Sequence, residues 1–542
     1  MTKLAELQKA DIERLMRELR KPQPNQPERV HVGTIQLALD RVVEQESVAQ
    51  ATSQVPVEPE QKAALAAVTA SDAENAKKKR NSAASRAGSS APHGRRDLKL
   101  ENLPQEVITL DPEPVLAANG EGYEFISDEV GRRLGYRPAS YVCIVIRRGK
   151  YRLIERRPAA TELEPDAPTN EILIAPLPDN ILPLSMADAS AIGRHIVAKY
   201  GDCLPLHRQE AISAREGFRI PRSTQCGWLG GSAQVCARVV DAMLADAKAR
   251  AFCIATDATS APVQCAGRNI MWHMFVLLAD RDHVIFRATR HHTSEAVQEI
   301  LAGYHGHLLA DAATVFDALY EDGSVIEVAC WFHLRRYFWR GIATDRDRAY
   351  EALALISRLF EIDRESREVP MPARTKERAL RARPVLRLLD AWIERHRGGV
   401  DKRGPLAAAI GYYTNQRDAL HRFLDDGRLR LDNNLSEQAL RHLVVGRHNW
   451  THFANQTGLD WYAIFRSLIA SCALHDLNPQ RYLEQLLRLA PHWPVNRVLE
   501  LSPKYWSATM AGLTDEQKTI LVPPWEMQSR FIERPEHRSA AA

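Results

Sequence analysis

The chain has 542 residues, 45% of them apolar and 26% charged, so it is too long for one compact core and too apolar to be wholly disordered. No stretch reaches the roughly 18 uninterrupted apolar residues of a membrane span, which predicts a soluble protein without a membrane partner. Seventy-two Lys and Arg against 68 Asp and Glu leave a net charge of +4, too small by itself to assign a nucleic-acid partner.

In chain order, residues 1–52 read as an N-terminal helical region, with Leu4, Leu7, Ile12, Leu15 and Leu19 at helical steps before Pro22 and a second stretch from about Ile35 to Val48. The first stretch is a candidate for pairing copies of the chain. Residues 53–97 read as a flexible basic linker in which Lys77, Lys78, Lys79 and Arg80 would attract polyanions or simply remain solvated. Residues 98–158 predict a small β-containing unit with a strand at Tyr141 to Ile146, and 159–189 a Pro-punctuated connector. Residues 190–250 are helical. Leu206 to Ala214, Gly217 and Pro221 to Leu229 fit helix, tight turn and second helix, a candidate helix-turn-helix. Its second helix would present Arg219, Arg222, Ser223, Thr224 and Gln225 to DNA, although glycine-turned helix pairs also serve packing alone.

Strands follow at Phe252 to Thr256, Met271 to Leu278, His283 to Thr289, Gly306 to Ala310 and Val325 to Ala329, so residues 251–342 predict a mixed five-stranded α/β sheet. Residues 343–430 carry helical periodicity, and 431–490 continue with helices at Asn434 to Val444, Leu459 to Leu474 and Arg481 to Leu489. The tail, 491–542, is weakly patterned beyond Pro503. Eight cysteines without a C-x-x-C pair support neither a zinc ribbon nor a disulfide framework, and Met1 to Arg20 lacks the apolar core of a signal peptide, so reduced thiols and a cytoplasmic location are expected.

Two of the predicted strands end in an acid, Asp257 and Asp311, and Glu437 falls in the first turns of a later helix. Two carboxylates about 4 Å apart repel by roughly 4 kcal/mol at an effective dielectric near 20, so gathering three calls for a proton or a cation. All-oxygen ligation favours magnesium or manganese, and two such ions suit in-line phosphodiester displacement. Turn capping by the aspartates and a dipole role for the glutamate account for the same residues. Asp280 and Asp282 read as turn residues, Asp317 as exposed on a helix and Asp432 as an N-cap.

The run Lys199-Tyr-Gly-Asp-Cys-Leu-Pro-Leu-His-Arg-Gln-Glu210, Arg222-Ser-Thr224 with Trp228, Cys330-Trp-Phe-His-Leu-Arg-Arg336, Leu431-Asp-Asn-Asn-Leu-Ser-Glu437 and Val445-Gly-Arg-His-Asn-Trp450 resemble the large transposase of bacterial insertion sequence sixty-six elements. The likeness continues through His475-Asp-Leu-Asn-Pro479 and Pro494-Val-Asn-Arg497, and so covers roughly Arg95 to Tyr505. It implies a ribonuclease-H-like catalytic core with mostly helical accessory domains, in which 343–430 is an insertion. It also implies a DDE-type metal triad of Asp257, Asp311 and Glu437. Two departures stand out. Gly-Tyr usually follows the second acid, where this chain has Ala312-Ala313, and the family's zinc-finger-like cysteine pairs are missing near Pro114 to Gly120 and Lys150 to Glu155, so no structural zinc is expected.

The lone pair Cys330 and His333 is assigned to packing or strand positioning, and Arg441 to pairing with Glu437. Arg335, Arg336, Arg447, His448 and Trp450 are candidate phosphate and base-stacking contacts, with salt bridges and core packing as the alternative. The reading is therefore a nucleoid-associated DNA transposase that binds terminal inverted repeats and target DNA, works as a homo-oligomer and is joined by accessory proteins of its element. The alternatives are a DNA-binding descendant that has lost catalysis and a metal-dependent nuclease without strand transfer.

Overall fold

The computed structural model describes residue 100 and residues 103–532, apart from 138–139, 154–171, 183–184 and 266. The predicted N-terminal helices, and Lys77, Lys78, Lys79 and Arg80 of the basic linker, lie outside the described residues.

The first sheet holds β1 (Gln105–Leu110), β2 (Tyr123–Arg137), β3 (Ser140–Leu153) and β4 (Ile172–Ile174). β3 is central, parallel to β1 and antiparallel to β2 and β4. The two-residue period of a strand divides β3 between two cores. Leu134 of β2, with Cys143 and Val145, joins the main core, whereas Val142, Ile144 and Ile146 pack with Ile108, Trp525 and Met527. The C-terminal tail is thus no loose end. The weak pattern of its sequence reflects a short segment that gains order from the sheet, with the Arg530 amide donating to the Thr109 carbonyl and the Arg530 carbonyl accepting from the Asp111 amide.

Three helices follow: α1 (Ala189–Tyr200), α2 (Leu206–Arg215) and α3 (Arg222–Arg250). The expected helix, turn and helix are present, with Gly217 at φ +91° in the left-handed region that glycine adopts freely. The second helix is far longer than Pro221 to Leu229, however. It runs 29 residues because Trp228, Leu229, Ala233, Cys236, Val240, Met243 and Ala247 keep returning to the core at steps of three or four.

The second sheet has the order β7-β6-β5-β8-β9, built from β5 (Cys253–Cys265), β6 (Arg268–Ala279), β7 (His283–Thr289), α4 (Ser294–Leu301), β8 (Gly306–Ala310) and β9 (Val325–Ala329). β5, β6 and β7 form an antiparallel meander, and β8 and β9 run parallel to β5. One expectation fails here. Asp257 does not end its strand, because β5 continues to Cys265 as a hairpin with β6 around Gly267. The pairing of β5 with β8 stops at Ala255, which leaves a free edge on which Pro262, lacking an N–H, is tolerated and its carbonyl accepts from the Phe453 amide.

The longer helices after β9 are α5 (Trp331–Gly341), α6 (Arg346–Ser366), α7 (Ala373–His396), α8 (Pro405–Asn415), α9 (Asn434–Trp450), α10 (Gln456–Leu474) and α11 (Pro479–Leu489). α10 covers the outer edge of β7, where Ser467 and Ser471 hydroxyls accept from the Phe286 and Val284 amides at 2.8 and 2.9 Å. The α6–α8 insertion is fastened to the chain before α9 by the buried Arg378. Its guanidinium donates to Asp363 at 3.0 Å, to the Leu429 carbonyl at 2.8 Å and to the carbonyls of Phe423 and Asp426.

Candidate active site

The three acids approach one another from three elements. Asp257 lies within β5 and its Oδ1 accepts from the Ala258 amide at 2.7 Å. Asp311 stands one residue past β8, with Oδ1 accepting from the Ala313 amide at 3.2 Å across a left-handed Ala312 at φ +59°. Glu437 is in the first turn of α9. The start of that helix is tied to both neighbouring elements by Asn433, which is 1% exposed. Asn433 Nδ2 donates to the carbonyl of Thr256, the residue before Asp257, at 2.6 Å, and its backbone amide donates to Cys330 Sγ at 3.3 Å. The Trp331 amide completes the joint by donating to the Leu431 carbonyl at 2.8 Å.

Burial raises the Asp257 pKa to about 7, and the charges of Asp311 and Glu437 push in the same direction while the Ala258 amide and Arg336 oppose them. Burial also raises Glu437, against Arg336 and Arg441 and with the help of Asp432 and Asp311. Asp257 is therefore within electrostatic reach of both other acids, and Glu437 within reach of Asp311. They are not drawn into a closed shell: among the described residues no three His, Cys, Asp or Glu side chains could hold a metal ion as they stand. The donor chemistry itself, three carboxylates and no thiolate, fits a hard divalent cation.

His333 Nε2 is 3.8 Å from Glu437 Oε1, and its Nδ1 is buried without a partner. Burial lowers its pKa, more than the Asp311 charge restores. Cys330 and His333 therefore have separate places. Cys330 is buried and serves the Asn433 joint, whereas His333 faces the acids.

The other predicted contacts are spread over three places. Arg219 and Arg222 are exposed but both bind Glu210, at 2.7 and 3.1 Å, beside a groove that His207 and Ala211 also line. Thr224 is half-buried on the first turn of α3. Gln225, expected to face DNA, is instead fully buried and donates to the Ile220 carbonyl at 2.9 Å, because its turn of α3 packs inward. Arg336 acts on Asp257 and Glu437, and Arg335 is half-buried on the same helix, α5. Arg447 donates to the carbonyl and, at 3.1 Å, to the hydroxyl of Ser260 on β5. His448 is exposed, and Trp450 is half-buried near Phe453 and Tyr462.

Asp280 and Asp282 keep their turn roles, Asp280 accepting from the amides of Phe252 and Cys253 at 2.9 and 3.0 Å. Asp317 is exposed on a 3-10 turn, Thr314–Leu319. The N-cap of α9 is Asn433 rather than Asp432, one residue later than expected, although Asp432 Oδ1 still accepts from the Asn434 amide at 3.2 Å. Asn433 escaped the sequence reading because its partners are 103 and 177 residues away. The only local signal was an amide side chain between an acid and a helix start.

Comparison with known proteins was consistent over the same region. A family model described as transposase IS66 family matches residues 184–460, just over half of the chain, and one described as IS66 C-terminal element matches 467–503. An uncharacterised protein of Sinorhizobium fredii, y4qI, is 27% identical over 74% of this chain and 75% of its own length. A second from that organism, y4hP, is 28% identical over 62% of this chain and 65% of its own length.

Proposed function

The chain belongs to the IS66 transposase family, and from that premise we propose that it binds the terminal inverted repeats of its own element and cuts and joins DNA strands at Asp257, Asp311 and Glu437. The observation that carries the reading is that three acids from distant parts of the chain come within electrostatic reach on β5, at the end of β8 and at the start of α9, where burial first and like charge second raise the proton affinity of Asp257 and Glu437. The order β7-β6-β5-β8-β9, with the first acid on the central strand, supports a ribonuclease-H-like core.

Asp257, Asp311 and Glu437 would hold magnesium or manganese, which when bound activates a water or a DNA 3′-hydroxyl and stabilises the leaving oxygen. The chain's own part is to gather and orient. Asn433 fixes the Glu437 helix against the Asp257 strand, and Arg336 lowers the repulsion between the acids before any cation arrives. Among the described residues no helix is long and apolar enough to cross a membrane.

The test is a magnesium-dependent cleavage and strand-transfer assay on DNA carrying the element ends, with Asp257→Ala, Asp311→Ala and Glu437→Ala. Full activity in all three variants would remove the site assignment. Cleavage without joined product would reduce the protein to a nuclease, and binding without cleavage to a DNA-binding descendant.

A further inference from the structure

At its C-terminal end α9 meets α1 and α10, and positive charge collects there without a carboxylate to meet it. Lys199 Nζ lies 4.8 Å from the ring centroid of Trp450 and 5.4 Å from that of Tyr200. The Tyr200 and Tyr462 rings are 6.0 Å apart, and those of Trp450 and Tyr462 6.4 Å. Arg466, one turn beyond Tyr462 on α10, is only 6% exposed. Gly446 makes the arrangement fit, since a Cβ there would stand 2.2 Å from the Trp450 ring.

Four buried polar atoms of this cluster have no hydrogen-bond partner among the described residues: the hydroxyls of Tyr200 and Tyr462, Trp450 Nε1 and Arg466 Nε. The groups that act on Lys199, Arg447 and Arg466 are cysteines and a tyrosine, not carboxylates. The nearby Asp202 is turned away to Arg194 at 3.5 Å, with its side chain 59% exposed. A buried guanidinium without a counter-charge is costly, so folds seldom keep one idle. Lys199, Arg447 and Trp450 are part exposed, which gives the cluster an opening.

We propose that Lys199, Arg466, Tyr200, Tyr462 and Trp450 form an anion site that takes a phosphate group, held by two cations and three neutral donors. The site deepens the transposase reading if the phosphate belongs to a DNA backbone; free inorganic phosphate is the other source of the same chemistry. Arg447, on the same turn of α9, is engaged with Ser260 and fixes that turn to β5.

The experiment uses the full chain, with Arg466→Met and Tyr462→Phe. Binding of a labelled duplex of the element end is followed against salt, and thermal unfolding is followed with and without inorganic phosphate. Without ligand, Arg466→Met should unfold at or above the wild-type midpoint, since an unmatched charge has gone, and Tyr462→Phe at the wild-type midpoint. Arg466→Met should bind the duplex about tenfold more weakly with a salt slope smaller by about one, and phosphate should raise the wild-type midpoint more than the variant's. If Arg466→Met does not fold, Tyr462→Phe carries the test with a several-fold loss of duplex affinity.

Wild-type duplex affinity and salt slope in both variants, with equal response to phosphate, would overturn the site while leaving the transposase reading intact. A wild-type chain that binds no duplex, yet is stabilised by phosphate through Arg466, would keep the site, assign it to free phosphate and count against the transposase reading.

Discussion

Asp246 and Asp257 sit on consecutive elements, α3 and β5, and meet opposite fates. Asp246 is surrounded by donors: His283 Nε2 at 3.0 Å, Lys504 Nζ at 3.0 Å, Arg250 Nε at 3.0 Å and the Tyr505 hydroxyl at 3.4 Å. Burial pushes its pKa up, but the hydrogen bonds from His283 and Lys504 outweigh that and hold it below the usual aspartate value. Asp257 has one backbone donor and two like-charged neighbours, and burial first, then those charges, raise its pKa to about 7. Charge that is fully met ties elements together, here the C-terminal segment to α3. Charge left unmet marks a place where something else must bind.

Exchanging the two roles by mutation is the strongest way to break the contrast. Asp257→Ala should lower strand transfer by about a thousandfold or more while the fold persists, because an unmet carboxylate supports chemistry rather than packing. Asp246→Ala should instead cost about 1–3 kcal/mol of stability, seen as a lower denaturant midpoint, by leaving the buried His283 Nε2 without its partner and Lys504 with Asp282 alone. An Asp246→Ala protein as stable as wild type would mean that the cluster is ornamental and that met charge does not stabilise this fold.

Stability against pH sharpens the same contrast. A carboxyl whose pKa is raised on folding keeps its proton in the folded state at pH values where the unfolded chain has lost it, so stability falls as pH rises from about 4 to about 7. Asp257→Asn removes that loss. In metal-free protein with a chelator present, the variant should be more stable than wild type by about 1–2 kcal/mol at pH 8 and no different near pH 4. Asp246, whose pKa is lowered, contributes in the opposite sense: its stabilisation is present above the unfolded value and is lost as pH falls below about 3.8. A pH-independent difference between Asp257→Asn and wild type would show that folding does not raise the Asp257 pKa.

Much of this was readable before any coordinates. The bounds of β7, β8 and β9 match the predicted strands, because each is a short run of apolar residues closed by a turn. β5 runs past its predicted end, since polar alternation from Thr259 to Gln264 hid a strand whose outer edge meets Arg447 and Phe453 instead of another strand. α3 was read too short for the opposite reason, small residues such as Gly230, Gly231 and Ser232 concealing a buried face. Among site residues, the acids announced themselves by position and by resemblance. His333 and Trp450 stand out in the sequence, but the place of His333 beside Glu437, the joint made by Asn433 and the grouping of Lys199, Tyr200, Tyr462 and Arg466 do not, because partners across more than 100 residues leave no local pattern.

The smallest expected effect tests a third kind of unmet cost, in the backbone. Ala312 follows Asp311 at φ +59°, where the resemblance leads one to expect glycine. Alanine in that region is strained by about 1–2 kcal/mol, whereas glycine loses about 0.4–1 kcal/mol more conformational freedom on folding. Ala312→Gly should therefore stabilise the chain by roughly 0.5–1 kcal/mol in denaturant unfolding. The Ala313 amide that Asp311 accepts from is unchanged by the substitution, so strand transfer should stay within about twofold of wild type. A gain in stability joined to a marked loss of activity would locate a function in the strain, holding Asp311 apart from its partners until DNA arrives. A loss of stability would mean that the turn is shaped by contacts of the Ala312 methyl rather than borne against its preference.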